Sequence, residues 1–208
     1  TISVEDIEKE LSPNETKALI RELYANALTL LTNQQNILPL RNIDKIKIAS
    51  VAINKKGTTT FQKRLSSYKP VDNFFINPSD PKAVADLLKK LSAYDVVIAG
   101  VYGIEQRPIR ESGVPPALSS LLDQLAGKNR LIVTWFGNPY SAGKTGALSK
   151  AHAMLLSYQE NEYTEELSAQ LIFGGIGARG SLPVTISEKW LYGCGFITPG
   201  GLRIQYGL

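Results

Sequence analysis

Cysteine and histidine are nearly absent from this sequence of 208 residues, which has one of each, Cys194 and His152. A single cysteine excludes an internal disulfide framework, and together with a single histidine it excludes a zinc site made of Cys and His ligands. Apolar runs are short, and none approaches the roughly 20 residues that a helix needs to cross a bilayer. We therefore expect no disulfide scaffold, no metal site and no membrane span.

Acidic residues are scarce between Arg41 and Lys69, where Asp44 is the one acid among eight basic residues. This run predicts either a solvated edge of the fold or a docking face for an anionic partner. The net charge of +4 is too small to indicate nucleic acid. No aromatic ladder accompanies the basic residues, which also argues against binding of single strands.

Apolar segments with the pattern of buried strands alternate with segments of helical periodicity. The predicted strands are 45–53, 73–76, 95–102, 130–136 and 151–157, and the predicted helices are 13–32, 58–67, 81–91, 116–126 and 162–173. This alternation is typical of an α/β fold, here a three-layer sandwich with a mostly parallel central sheet and helices on both faces. The glycine- and proline-rich remainder, 174–208, contains strand-like pieces at 182–186 and 202–206.

Polar residues follow four of the predicted strands, at the edge where open parallel sheets bind ligands. Aromatic, amide, guanidinium and carboxylate groups at such an edge suit a hydroxyl-rich ligand such as a sugar, although loops are polar for general reasons. They are Asn54, Lys55, Lys56, Tyr102, Glu105, Gln106, Arg107, Asn138, Tyr140, Tyr158, Gln159, Glu160 and Asn161. The candidates for sugar binding among them are Arg107, Asn138, Tyr140 and Glu160.

The loop 103–115 also holds two carboxylates, Glu105 and Glu111. Paired carboxyl groups hydrolyse glycosides when they are held at a defined separation, but six positions in a loop define none. Neighbouring Arg107 and Arg110 favour the ionised carboxylates, which disfavours a general acid. Glu105 and Glu111 are therefore weak catalytic candidates.

Two segments imitate phosphate-binding loops. Residues 175–180 fit G-x-G-x-x-G but follow a predicted helix, whereas the dinucleotide motif follows a strand and opens a helix. Residues 137–145 follow a strand, but they have one residue too many between the glycines for a phosphate loop, and Pro139 removes an N–H donor. Neither indicates a nucleotide, so we expect no cofactor.

The single His152 and Cys194 are poor candidates for nucleophilic catalysis. His152 lies in an apolar run, as a core histidine with satisfied hydrogen bonds would, and no G-x-S-x-G nucleophile elbow is present. Cys194 lies between two glycines with no convincing base in the sequence nearby. We expect structural roles for both.

Several segments, in order, resemble the C-terminal α/β sandwich domain of family 3 glycoside hydrolases, over nearly the whole chain from about residue 13. The most specific is 178–185 (ARGSLPVT) after 171–174 (LIFG); the others are 27–33 (ALTLLTN), 36–40 (NILPL), 47–51 (KIASV), 95–98 (DVVI), 133–140 (VTWFGNPY), 192–195 (YGCG) and 201–204 (GLRI). The strand end FGNPY and the segment ARGSLPVT are similar to the β-N-acetylhexosaminidase branch.

This resemblance implies a domain that supplies no nucleophile. In the family an aspartate of a preceding TIM barrel is the nucleophile. The β-glucosidase branch takes its acid/base from the loop corresponding to 103–115, whose usual glycine- and acid-rich pattern is missing here, and the hexosaminidase branch takes it from a barrel histidine. Residues 1–40 would then be a linker and helix from a barrel absent from this sequence, and 41–208 the sandwich domain.

The resemblance also implies partners. They are the N-terminal barrel of the same polypeptide, a carbohydrate substrate, and in some relatives a further C-terminal domain. By itself we expect the chain to hydrolyse nothing. It begins at Thr1 with no initiator methionine or signal peptide, so we expect a processed or partial chain whose compartment cannot be read from targeting signals. For the parent protein we expect a periplasmic or secreted location. The alternative is a free-standing carbohydrate- or nucleotide-binding α/β module.

Overall fold

A computed structural model describes residues 14–104 and 114–207 of the chain. The helices are α1 (Asn14–Ala27), α2 (Thr60–Tyr68), α3 (Pro81–Leu91), α4 (Pro116–Lys128), α5 (Pro139–Gly143) and α6 (Glu162–Phe173). The strands are β1 (Thr29–Asn33), β2 (Ile48–Ile53), β3 (Asp72–Ile76), β4 (Val96–Val101), β5 (Arg130–Trp135) and β6 (Ala153–Leu156). Short 3-10 turns lie at Gln34–Asn36, Ile43–Lys45 and Gly146–Lys150.

The six strands form one sheet in the order β1-β6-β5-β4-β2-β3. All neighbouring strands are parallel except β1, which pairs antiparallel with β6. Every residue of β2 and β4 is buried, as expected for parallel strands covered on both faces. The predicted fold class, a mostly parallel sheet between helices, is confirmed.

Two apolar cores lie on opposite faces of the sheet. The leucines of α3 and α4 pack with Val51, Val97 and Val133 in one core. Helices α2 and α6 pack with Ile98 and Ile132 in the other. Consecutive strand residues alternate between the two cores because successive side chains of a strand point to opposite faces.

Side-chain caps fix where the helices begin. Asp80 accepts a hydrogen bond from the Ala83 N–H and caps α3, with Pro81 in the first turn, as the sequence predicts. Asn161 caps α6 in a capping box with Thr164. The cap predicted at Ser12 and Pro13 lies outside the described residues.

The predicted helix 13–32 is wrong in its last five residues, 28–32. Helix α1 ends at Ala27, and residues 29–33 form strand β1. Leu30 lies in one core and Leu31 in the other, an arrangement that a strand gives to consecutive residues and one helix face cannot. Leu19 and Leu23, which the prediction placed on the apolar face of the helix, are 56% and 61% exposed.

The strand-like pieces predicted at 182–186 and 202–206 are turns and loops in the structure. The segment 174–207 instead runs beside β1. The Gly180 N–H donates to the Leu28 carbonyl at 3.2 Å, and the Phe196 N–H donates to the Leu30 carbonyl at 2.8 Å. These bonds occupy the open side of β1, which protects this edge of the sheet from pairing with another chain.

Within the two described ranges, no helix has both the length and the apolar character of a membrane span.

Close backbone packing explains the glycines of the G-x-G-x-x-G look-alike. A Cβ on Gly177 would lie 2.2 Å from the Thr198 carbonyl oxygen and 2.9 Å from the Gly200 nitrogen. A Cβ on Gly180 would lie 2.5 Å from the Leu28 carbonyl oxygen. The motif follows α6, so these glycines serve the packing of the C-terminal segment.

We expect Gly177→Ala to lower the free energy of unfolding by about 1–3 kcal/mol, because the backbone that its methyl group meets cannot move without strain. The control is Gly127→Ala in α4, where a Cβ meets nothing within 4 Å. It should raise stability by about 0.4–1 kcal/mol. Urea denaturation measures both, and equal effects would contradict this explanation of the motif.

Candidate functional site

Strands β2, β4, β5 and β6 are parallel, so the residues that follow them lie along one edge of the sheet. Ligands bind at this edge in open α/β folds. It carries Asn54 after β2, Tyr102 and Gly103 after β4, Asn138 and Tyr140 after β5, and Tyr158 to Asn161 after β6. This carboxyl edge is the candidate site that the sequence predicts.

Glu160 is already bound to the protein at both oxygens. Its Oε1 forms an ion pair with Lys55 Nζ, and its Oε2 accepts a hydrogen bond from the Gly103 N–H at 3.0 Å. Lys55 also lies over the ring of Tyr102, with Nζ 5.1 Å from the ring centroid. Glu160 therefore ties the end of β6 to the end of β4.

Two further contacts hold the start of the loop after β4. Asn54 Nδ2 donates to the Tyr102 carbonyl at 2.9 Å. Ile104 packs on Gly137 so closely that a Cβ there would lie 2.4 Å from the Ile104 Cβ. Residues 102–104 are thus held by the ends of β2, β5 and β6. The loop candidates Glu105, Arg107 and Glu111 lie outside the described residues.

A buried polar network lies beneath this edge. The Tyr102 hydroxyl is 3.1 Å from Thr59 Oγ1 and 3.4 Å from Glu165 Oε2, which also accepts the Phe61 N–H at 2.9 Å. Burial raises the pKa of Glu165 above its ordinary value of 4.5, although the Phe61 N–H and Lys55 act in the opposite direction. Burial also raises the pKa of Tyr102. These groups connect α2, β4 and α6. Because they lie behind the edge, they support the position of the Tyr102 turn rather than contact a ligand.

Asn138 and Tyr140 lie in the turn from β5 into α5. Asn138 is 5% exposed, and its Oδ1 accepts the Tyr140 N–H at 2.8 Å. Its carbonyl oxygen accepts the Trp135 indole N–H at 3.2 Å. Asn138 therefore shapes the turn, whereas the Tyr140 side chain is 42% exposed and available to a ligand.

The residues after β6 hold α1 and β1 in place. The Tyr158 and Thr29 hydroxyls are 2.7 Å apart. Tyr24 of α1 donates to Gln159 Oε1 at 2.8 Å and accepts from Asn161 Nδ2 at 3.1 Å. Most polar side chains that the sequence places at this end of the edge thus have partners within the protein.

His152 and Cys194 lie away from this chemistry. His152 precedes β6, at the opposite end of the strand, and its Nδ1 accepts the Leu131 N–H at 3.3 Å. Cys194 is half-buried against an apolar core. In residues 14–104 and 114–207, no cluster of three His, Cys, Asp or Glu side chains could hold a metal ion.

Sequence reasoning missed Glu165 and Arg179. Glu165 lies in helix α6, in which ten residues are buried. The adjacent pair Glu165 and Glu166 was the available signal in the sequence. Arg179 was noticed only within a motif. No sequence pattern brings it beside α1, because that proximity depends on the path of the segment 174–207.

Glu165 predicts a measurable dependence of stability on pH. A carboxyl group whose pKa is higher in the folded than in the unfolded state destabilises the fold as pH rises through that range. Glu165→Gln removes this titration and keeps an oxygen that can accept the Phe61 N–H. We therefore expect the difference in the free energy of unfolding, variant minus wild type, to be more positive at a pH of about 8 than at a pH of about 4.

Urea denaturation at both pH values measures the difference, and the exposed Glu188→Gln is the matched control. A difference between Glu165→Gln and wild type that stays constant with pH would show that the carboxyl group keeps its ordinary pKa.

Solved structures of similar fold include two β-N-acetylglucosaminidases of glycoside hydrolase family 3. A fungal multi-domain enzyme matches with a TM-score of 0.71 and 24% identity, over 90% of this chain and 20% of that chain. The enzyme from Paenibacillus sp. str. FPU-7 matches with a TM-score of 0.68 and 19% identity, over 90% of this chain and 35% of that chain. β-Glucosidases from Listeria innocua and Bifidobacterium adolescentis share the fold.

A curated relative from Formosa agariphila is named "Putative beta-xylosidase". It is 23% identical over an alignment of 215 positions, which covers 90% of this chain and 28% of that protein. The chain thus spans less than a third of the length of this relative.

Residues 28–193 match the family described as "Glycosyl hydrolase family 3 C-terminal domain". This match begins one residue before β1 and includes every strand of the sheet. The predicted family is therefore confirmed, and the chain belongs to the glycosyl hydrolase family 3 C-terminal domains.

Proposed function

We propose that this chain is the C-terminal domain of a β-glycosidase and forms one wall of a sugar site, the nucleophile of which lies in a neighbouring barrel domain. The observation that carries this proposal is the family match, over a fold whose candidate edge has no accessible pair of carboxyl groups among residues 14–104 and 114–207. Residues 1–40 would contain the connection from that barrel, and residues 41–208 the main part of the sandwich domain.

The chemistry of glycoside hydrolysis supports a nucleophile from elsewhere. In most glycosidases the reaction uses two carboxyl groups on either side of the bond, one of them accessible to the sugar as nucleophile or base. At the described part of the edge, Glu160 is held by Lys55 and Gly103, and Glu165 is buried in the network below. Neither suits attack on a sugar.

The predicted sugar-binding residues take different roles in this proposal. Tyr140 offers an exposed ring on which a sugar can stack. Asn138 holds the turn that presents Tyr140, and Glu160 holds the start of the loop that carries Arg107. Arg107 supplies a guanidinium to the substrate, and Glu105 and Glu111 remain weak candidates for an acid/base.

Exposed apolar side chains support a neighbouring domain. Leu191, Tyr192 and Ile197 are 52%, 75% and 83% exposed, in the segment that covers the edge of β1. Ile204 is 72% exposed, and Leu19 and Leu23 of α1 add to this apolar surface. Large apolar groups concentrated in two segments are typical of a surface that another domain covers.

Among the sugars that the family hydrolyses, we propose a β-N-acetylhexosaminide. The support is the similarity of FGNPY (136–140) and ARGSLPVT (178–185) to that branch. In that branch a barrel histidine is the acid/base, so the reaction would need neither Glu105 nor Glu111. A β-xyloside and a β-glucoside are the competing substrates.

A first experiment compares the isolated chain with the polypeptide that joins it to its barrel domain, on chromogenic β-N-acetylglucosaminide, β-glucoside and β-xyloside. We expect no turnover by the isolated chain, and turnover by the longer polypeptide that is fastest on the N-acetylglucosaminide. Turnover by the chain alone would refute a nucleophile in the barrel. Faster turnover of a different glycoside would refute the hexosaminidase branch only.

A second experiment tests Tyr140 in the longer polypeptide. Tyr140→Ala should raise KM about two- to tenfold, as the loss of roughly 0.5–1.5 kcal/mol of aromatic contact would. The matched control is Phe75→Ala, an aromatic residue that is 39% exposed on β3 at the far edge of the sheet. If both variants keep the KM of wild type, Tyr140 does not touch the substrate.

A free-standing binding module is the alternative. A nucleotide-binding module would depend on the two segments that resemble phosphate loops, 137–145 and 175–180. The glycines of 175–180 are explained by backbone packing. A gene without an upstream barrel, together with a rise in melting temperature on adding ATP or NAD, would favour it.

A further inference from the structure

A polar groove separates α1 from the glycine-rich C-terminal segment. Its volume is about 470 Å³, and its walls include Arg21, Glu22, Asn26, Arg179 and Gln205 together with the backbone of 175–177 and 200–201. A second hollow of about 480 Å³ lies beside Tyr158, at the end of β6. Asn26 and Arg179 line both hollows, so the two hollows adjoin, and we call them together the two-arginine groove; its end beside Tyr158 lies at the carboxyl edge.

Arg21 lines this groove and has an unpartnered donor buried behind it. Its Nη2 donates to the Tyr206 carbonyl and, at 3.4 Å, to Gln170 Oε1. Its Nη1 is buried and has no hydrogen-bond partner among the described residues. A buried charged donor without a partner is costly, and the uncompensated charge of Arg21 therefore favours an anion nearby.

Arg179 is exposed and makes no hydrogen bond or ion pair with any described residue. It lines both hollows, and among the described residues it is the one cation that lines the hollow beside Tyr158. Among residues 14–104 and 114–207, Glu22 is the one acid that lines the groove, against the two guanidinium groups of Arg21 and Arg179. Glu166, which also influences Arg21, is paired with Arg64. The groove thus has an excess of positive charge.

The remaining groups suit hydroxyl groups. Asn26, Ser181 and Gln205 are exposed polar side chains along the walls, and the glycine backbone leaves room for a ligand to approach. A guanidinium binds a carboxylate through two parallel hydrogen bonds. An extended groove with cations and hydroxyl-binding groups fits a chain of sugars that carries carboxylates.

We propose that the two-arginine groove binds an acidic saccharide, a uronate carboxylate pairing with the exposed Arg179 while the Arg21 guanidinium adds positive charge to the same groove. This inference rests on the proposed function, because the groove opens onto the edge where the substrate is expected. It would extend the substrate site beyond the sugar that is cleaved, and it would favour substrates with acidic units distant from the cleaved bond.

The test is titration calorimetry of the 208-residue chain with trigalacturonic acid, with an oligoglucuronate and with the neutral trisaccharide maltotriose. We expect at least one acidic oligosaccharide to bind more tightly than maltotriose, and its binding to weaken with added NaCl because exposed charges are screened. Arg179→Gln should raise its Kd about three- to tenfold. Arg41→Gln, which removes the same charge at an exposed position outside the groove, should leave the Kd unchanged.

The proposal fails if neither acidic oligosaccharide binds more tightly than maltotriose, or if Arg179→Gln and Arg41→Gln have the same effect. It also fails if citrate competes as strongly as the oligosaccharides, since the groove would then bind anions without regard to sugar. Chromogenic activity of the longer polypeptide tests the proposed function separately. If the longer polypeptide is active but Arg179→Gln leaves the Kd for acidic oligosaccharides unchanged, this inference is overturned and the proposed function is not.

Discussion

Burial of a parallel sheet on both faces is the constraint on which the rest of the structure depends. Strands β2, β4, β5 and β6 carry apolar side chains into two cores, so nearly all their residues are committed to packing. Polar chemistry is thereby displaced to the ends of the strands, where the chain turns toward the next helix. Because the strands are parallel, the four turns that follow them lie along one edge.

Hydrogen bonds and an ion pair join neighbouring turns along that edge. Glu160 joins the ends of β4 and β6, Asn54 joins β2 to β4, and the residues after β6 hold α1. Polar side chains that could have met a ligand are used to fix the positions of neighbouring turns. The Tyr140 side chain remains 42% exposed at the end of this hydrogen-bonded frame.

The second constraint is the open side of β1. An antiparallel strand at the border of a sheet leaves donors and acceptors unpaired, and here the segment 174–207 donates to the Leu30 carbonyl in β1 and to the Leu28 carbonyl just before it. Its glycines allow the backbone to pass within a few ångströms of β1 and of itself. The same path brings Arg179 beside α1 and so creates the groove that reaches the carboxyl edge.

The sequence by itself determined the fold class, the caps of α3 and α6, and the position of most strands, because buried strands and helix caps leave local patterns. The family also followed from the sequence, since its motifs occur in order along the chain. Only the tertiary structure decided that residues 29–33 form a strand, because Leu30 and Leu31 gain two different cores that exist only in the assembled sheet. It alone showed that Glu160 binds Lys55 and Gly103, that Glu165 is buried, and that Arg179 faces α1. These arrangements join residues far apart in the chain, and the free energy that selects them comes from packing and electrostatics that no local pattern contains.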